Sequence, residues 1–176
     1  MKRAWISGIV LYPLFSSFLG AQTRQQFDVR IPMRDGVKLS ADVWLPQADN
    51  KYPAILIRIP YLKTMPLKFP DLGRFFADHG YVFIVQDCRG RGDSEGDFDF
   101  HFTDGKDGCG TIEWIAGQSW CDGKVGMMGA SYLGAVQWLA AREHPPHLVC
   151  ITPTAPPGRY LDEIPYIGGA WLMHWR

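Results

Sequence analysis

Val125-Gly126-Met127-Met128-Gly129-Ala130-Ser131-Tyr132-Leu133-Gly134 is a strand-like apolar run that breaks at a glycine and a serine just before a helical pattern starts at Tyr132. A serine on such a strand-to-helix turn reads as a nucleophile elbow. The turn lifts its hydroxyl above the end of a sheet, and the N-terminus of the following helix favours developing negative charge. The spacing departs from G-x-S-x-G, with Leu133 where the second glycine would stand and Gly134 one residue later. The turn needs small residues where its backbone or the next helix packs closely, and Gly129, Ala130 and Gly134 supply them. The competing reading of the same residues is a serine at an ordinary helix N-cap.

Upstream, Gln26 to Met33 and Lys38 to Leu45 alternate as strands around Arg34-Asp35-Gly36, whose Asp-Gly pair suits a tight hairpin. Tyr52 to Ile59 is a buried strand ended by Pro60, Asp71 to His79 a helix closed by Gly80, and Tyr81 to Gln86 another buried strand. A glycine-rich loop, Arg89 to Gly96, opens a long connection that runs to Asp107. Thr111 to Gly117 reads as a helix, Val125 to Met128 as a short strand, Tyr132 to Glu143 as the helix behind the elbow and Leu148 to Thr152 as the next strand. A hairpin followed by alternating strands and helices predicts an α/β fold, with a mostly parallel sheet, right-handed crossovers and helices on both faces.

Lysine plus arginine and aspartate plus glutamate both number 18, so there is no basic excess to hold nucleic acid, which is not an expected partner. Lys2 and Arg3 precede the largely apolar Ala4 to Leu19, and Gly20-Ala21 lead into polar residues, the pattern of a secretory signal over residues 1–21. Pro13 and three serines interrupt that segment, which is shorter than the roughly 20 residues a spanning helix needs. An uncleaved anchor is the alternative, since Leu19 is large for the third position before the cut. Cleavage predicts a secreted or periplasmic domain with no membrane attachment, carrying 16 basic against 18 acidic residues. In an oxidising compartment Cys88, Cys109, Cys121 and Cys150 allow three pairings. Cys109 and Cys121 flank the helix around Trp114 and are a candidate bridge, while Cys150, in an apolar run, reads as a buried thiol. No cysteine or histidine spacing suggests zinc, and no metal is expected.

Tyr61 lies just past a strand end, where a phenol would face an acyl oxygen above Ser131. By position alone it is more often an amphipathic surface aromatic. Several separated motifs together resemble the cocaine esterase and X-prolyl dipeptidyl-peptidase (CocE/NonD) family of α/β-hydrolases. Met33 to Leu39 resembles its opening hairpin, Arg58-Ile59-Pro60-Tyr61 its oxyanion-tyrosine strand end, and Asp87 to Gly96 its loop after the fourth strand. Asp107-Gly108, Thr111 to Trp114 and Gly123 to Gly126 resemble the approach to its nucleophile. Gly129 to Gly134, followed by Gln137-Trp138, is similar to its G-x-S-Y-x-G elbow, displaced glycine included.

The resemblance runs from about residue 27 onward. It implies that Ser131 is the nucleophile and that the Tyr132 amide and the Tyr61 hydroxyl form the oxyanion hole. The implied reaction is hydrolysis of an acyl ester, amino-acid ester or X-prolyl peptide through an acyl-serine, with no cofactor and a small molecule or short peptide as partner. The acid and base do not carry over. Ser131, Asp162 and His174 imitate the chain order of a triad, but two further strand-and-crossover units of roughly a dozen residues each do not fit between Thr152 and His174. His144 and His147, beside Pro145 and Pro146, read as a solvated turn. Residues 22–155 are therefore expected to be the N-terminal half of an α/β-hydrolase core and 156–176 the start of a helical cap, an incomplete and inactive piece. A noncatalytic remnant and one part of a split hydrolase are the alternatives. The Arg89 to Gly96 loop lacks the lysine and hydroxyl of a phosphate loop, and Asp87 and Arg89 are expected to brace it by charge-assisted hydrogen bonds.

Overall fold

The computed structural model describes residues 23–65, 67–157, 166–167 and 170–171. The segment read as a signal, with Asp162 and His174, lies outside these residues. Strands β1 (Arg24–Pro32) and β2 (Lys38–Leu45) pair antiparallel, and the turn between them closes through the Met33 amide on the Val37 carbonyl at 2.8 Å. Gly36 takes φ 87° there, which its missing Cβ permits.

The chain then alternates through β3 (Tyr52–Ile59), α1 (Phe69–Asp78), β4 (Val82–Asp87), α2 (Asp104–Ala116), β5 (Cys121–Ala130), α3 (Tyr132–Arg142) and β6 (Leu148–Thr154). The six strands form one sheet in the order β1-β2-β4-β3-β5-β6. β2 meets β4 antiparallel, whereas β3 pairs in parallel with both β4 and β5, and β5 pairs in parallel with β6. Beyond them β7 (Tyr166–Ile167) and β8 (Ala170–Trp171) pair antiparallel, within the segment read as the opening of a cap.

Alternate residues of each central strand enter opposite clusters. Ala54, Leu56, Val82 and Ile84 join Ile112 and Ile115 of α2, while Ile57, Ile59, Phe83 and Val85 join Phe69 and Ala77 of α1. That period of two, on strands buried on both faces, is what helices above and below a sheet require. Fully burying one such aliphatic side chain contributes about 1.5–3 kcal/mol.

Four expectations need correction. Helix α2 starts at Asp104 and not at Thr111, so the connection ends sooner than the sequence suggests. Gly105, Gly108 and Gly110 dilute its apolar period, yet glycine is needed where the helix meets α3. A Cβ on Gly108 would stand 2.7 Å from that of Ala140, and one on Gly105 would stand 2.9 Å from the Leu139 carbonyl oxygen. Strand β5 is longer than Val125 to Met128 for a similar reason, because its glycines hide it. Cys109 lies inside α2 and all four cysteines are free thiols, so the candidate Cys109–Cys121 bridge is absent. Cys150 is exposed, because β6 pairs on one side alone among the described residues.

Candidate active site

Parallel pairing brings the C-terminal ends of β3, β4 and β5 to one edge of the sheet, and the candidate residues collect there. Between β5 and α3 the chain turns so sharply that Ser131 has φ 57° and ψ −122°. For a residue with a Cβ such a conformation costs on the order of 1–3 kcal/mol and persists only when its surroundings impose it. Here they do. The Ser131 amide donates to the Thr154 carbonyl of β6 at 2.9 Å, and its own carbonyl accepts from the amides of Gly134 and Ala135 at 2.9 and 3.0 Å. Gly129 has φ 142°, and a Cβ there would sit 2.5 Å from that of Leu133. Gly134 faces Pro156, Gly129 and Thr154, which explains the displaced second glycine. Ser131 is exposed and its hydroxyl makes no capping hydrogen bond, so the N-cap reading fails.

Tyr132 follows as the first residue of α3, where a helix amide has no intrahelical acceptor. Its ring is buried, and Tyr61, 44% exposed, stands with its ring centroid 6.2 Å away. Phe98 and Phe100 approach the same ring at 6.3 and 5.8 Å, so the elbow is collared by aromatic side chains. The structure therefore brings Ser131, Tyr132 and Tyr61 to one edge.

The Tyr132 hydroxyl donates to Oδ2 of buried Asp104 at 2.6 Å. His101 stacks on the Tyr132 ring at 4.1 Å and places Nδ1 3.2 Å from the same oxygen. Beneath them Arg58, fully buried, donates Nε to Gln86 at 2.9 Å and Nη1 to the Asp104 carbonyl at 2.6 Å. Its Nη2 lies 3.3 Å from Oδ1 of Asp104, an ionic contact without hydrogen-bond geometry. Burial alone would raise the Asp104 carboxyl, but His101, the Arg58 charge and the Tyr132 hydroxyl together hold it down to about 2. Burial, followed by the Asp104 charge, keeps the Tyr132 phenol protonated far above its ordinary range. Burial likewise pushes the Cys88 thiol up, leaving it inert.

Arg89 braces the glycine-rich loop as expected, gripping both oxygens of Asp107 at 2.7 and 2.8 Å and reaching Asp35 of the hairpin turn at 2.8 Å. Asp87 accepts from the amides of Lys63 and Asp93 at 2.6 and 3.1 Å. His144 sits in an exposed turn, whereas His147 is half-buried with Nδ1 2.8 Å from Glu113. Sequence reading missed Lys63, His101 and the role of Asp104. Arg58 carried one signal, a charge inside an otherwise apolar strand.

A 1-2-4-3-5-6 sheet with a left-handed serine between the fifth strand and its helix defines an α/β-hydrolase. Residues 35–175 match the X-Pro dipeptidyl-peptidase (S15 family), and the chain belongs to that family. It is similar to the cocaine esterase of Rhodococcus sp. (strain MB1 Bresler), 44% identical over 117 residues that cover 65% of this chain and 20% of that protein. A CocE/NonD family hydrolase from Staphylococcus aureus superposes with a TM-score of 0.75 at 29% identity, over 85% of this chain and 30% of its own. An alpha-amino acid ester hydrolase does so with a TM-score of 0.69 at 30% identity, over 84% and 29%. The chain thus spans between a fifth and a third of the length of these relatives.

Proposed function

We propose that Ser131 is the nucleophile of a serine hydrolase that cleaves an ester or amide through an acyl-serine. The Ser131 oxygen bonds to the substrate carbonyl carbon as a base takes the hydroxyl proton, and the carbonyl electron pair moves onto oxygen. The Tyr132 amide and the Tyr61 hydroxyl receive that oxyanion. Collapse expels the alcohol or amine, which takes the proton, and water then repeats the sequence to release the acid. The observation that carries this reading is the left-handed backbone of Ser131, which leaves an exposed hydroxyl unspent at the start of α3.

The names of the relatives support acyl esters, amino-acid esters or X-prolyl peptides as the substrate class. We assign the acid and base to sequence corresponding to the part of the relatives that this chain does not span. On that reading the 176-residue chain alone gives negligible hydrolysis of a nitrophenyl ester. Grafting residues 23–157 in place of the matching segment of the Rhodococcus cocaine esterase supplies the missing groups. The graft is expected to turn over, to lose all activity on Ser131→Ala, and to slow by about 100- to 1,000-fold on Tyr61→Phe with its unfolding midpoint unchanged. Activity that survives Ser131→Ala overturns the nucleophile, and unchanged turnover on Tyr61→Phe removes Tyr61 from the oxyanion hole. Robust Ser131-dependent turnover by the chain alone refutes the assignment of acid and base.

A further inference from the structure

Tyr61 is held from both sides by the loop that follows β4. On one side the Arg91 Nε donates to the Pro60 carbonyl at 2.7 Å, and the Cys88 amide donates to that of Ile59 at 2.9 Å. On the other, the Lys63 amide donates to Oδ1 of Asp87 at 2.6 Å. The Lys63 ammonium lies between Oδ2 of Asp87, at 3.4 Å, and the Asp93 carboxylate, with the residue only 6% exposed. Between these anchors Leu62 takes φ 87°, a conformation that a residue with a branched side chain keeps only under outside constraint.

Burying an ammonium is costly unless it is paired, and an apolar side chain would fill the same space at less cost. What the charge adds is direction, because one carboxylate binds both the amide and the ammonium of Lys63 and so fixes the backbone between them. Burial would lower the lysine pKa, but the hydrogen bond to Asp93 and the charges of Asp42, Asp87 and Asp93 raise it, so the ammonium stays charged. The loop is shaped to this contact. A Cβ on Gly92 would run into the Asp87 carboxylate, and without it the Asp93 amide reaches Oδ2 at 3.1 Å.

We propose that Lys63, Asp87 and Arg91 form a clamp that aims the Tyr61 hydroxyl, making them positioning residues for the oxyanion site. The clamp rests on the assignment of Tyr61 as a donor. A donor displaced by about 1 Å loses about 100-fold in rate, so fixing an exposed tyrosine is worth a buried charge.

Ring resonances of tyrosine in the full 176-residue chain test the clamp without relying on turnover. The Tyr61 signal is identified by its loss in Tyr61→Phe, and the neighbouring Tyr132 ring displaces it from the position of a mobile tyrosine. In Lys63→Met, and separately in Arg91→Met, it moves to that mobile position. Exchange of the Lys63 amide quickens by about tenfold in Arg91→Met. Arg91 is exposed, so its variant keeps the fold even if Lys63→Met does not. A Tyr61 signal unchanged in Arg91→Met overturns the clamp. Failure of the donor assignment shows elsewhere, as unchanged turnover of the Tyr61→Phe graft.

Discussion

Replacing Tyr132 by phenylalanine removes one oxygen atom and leaves the buried ring in place. The hydroxyl donates to Asp104 at 2.6 Å, and Asp104 is 4% exposed and ionic with Arg58. A hydrogen bond to a buried charge contributes about 1.5–3 kcal/mol, which in a domain of this size lowers the unfolding midpoint by about 3–12 °C. The loss depends on pH in a defined direction. Asp104 falls from its ordinary 3.8 to about 2, so its ionisation contributes about 2 kcal/mol of stability, present above pH 4 and lost as pH falls through 2. The Tyr132 hydroxyl supplies part of that fall, so the carboxyl of Tyr132→Phe titrates higher than in the unaltered protein. The stability gap between the two proteins is therefore constant above about pH 4 and narrows as pH falls from about 4 towards 2. Urea unfolding followed by tryptophan fluorescence at pH 7, 5 and 3 measures it. A loss below about 0.5 kcal/mol at pH 7, or a loss that grows as pH falls from 7 to 3, refutes the reasoning.

Two further outcomes follow from packing. Gly108→Val drives side-chain atoms into Ala140 at the contact between α2 and α3, and is expected to cost at least about 1–3 kcal/mol in urea unfolding; a neutral result would mean that the helices separate freely. A thiol reagent added to the native protein is expected to modify Cys150 at once and Cys88 only in denaturant, with mass spectrometry of the peptides as the readout, and prompt labelling of Cys88 would contradict its burial.

The hairpin, β3, β4 and the helix after Ser131 could be read from the sequence because each pattern is local. Asp-Gly sets a turn, apolar runs set buried strands, and a small-residue turn sets the elbow. The first turn of α2 could not, since Gly105 and Gly108 look like loop residues until Ala140 and Leu139 are known to lie against them. Cys150 misled because an apolar run in a strand does not say whether a neighbour pairs on its far side. At the site, Ser131, Tyr61 and Tyr132 each occupied a readable position at an element end. The contacts of Lys63 with Asp87 and Asp93, of Arg58 with Asp104 and of Tyr132 with Asp104 join residues 24 to 46 positions apart and leave no spacing for a sequence to show.

The glycine contact between α2 and α3 reaches beyond packing. With the Ala140 methyl, the Leu139 carbonyl, the Glu143 side chain and the Arg58 guanidinium packed directly against these glycines, the two helices have little room to absorb a change in either. The start of α3 is the elbow, and the start of α2 carries Asp104, which holds the elbow's tyrosine. A side chain added at position 105 or 108 is therefore felt at the backbone of Ser131 itself, far from the point where it is introduced.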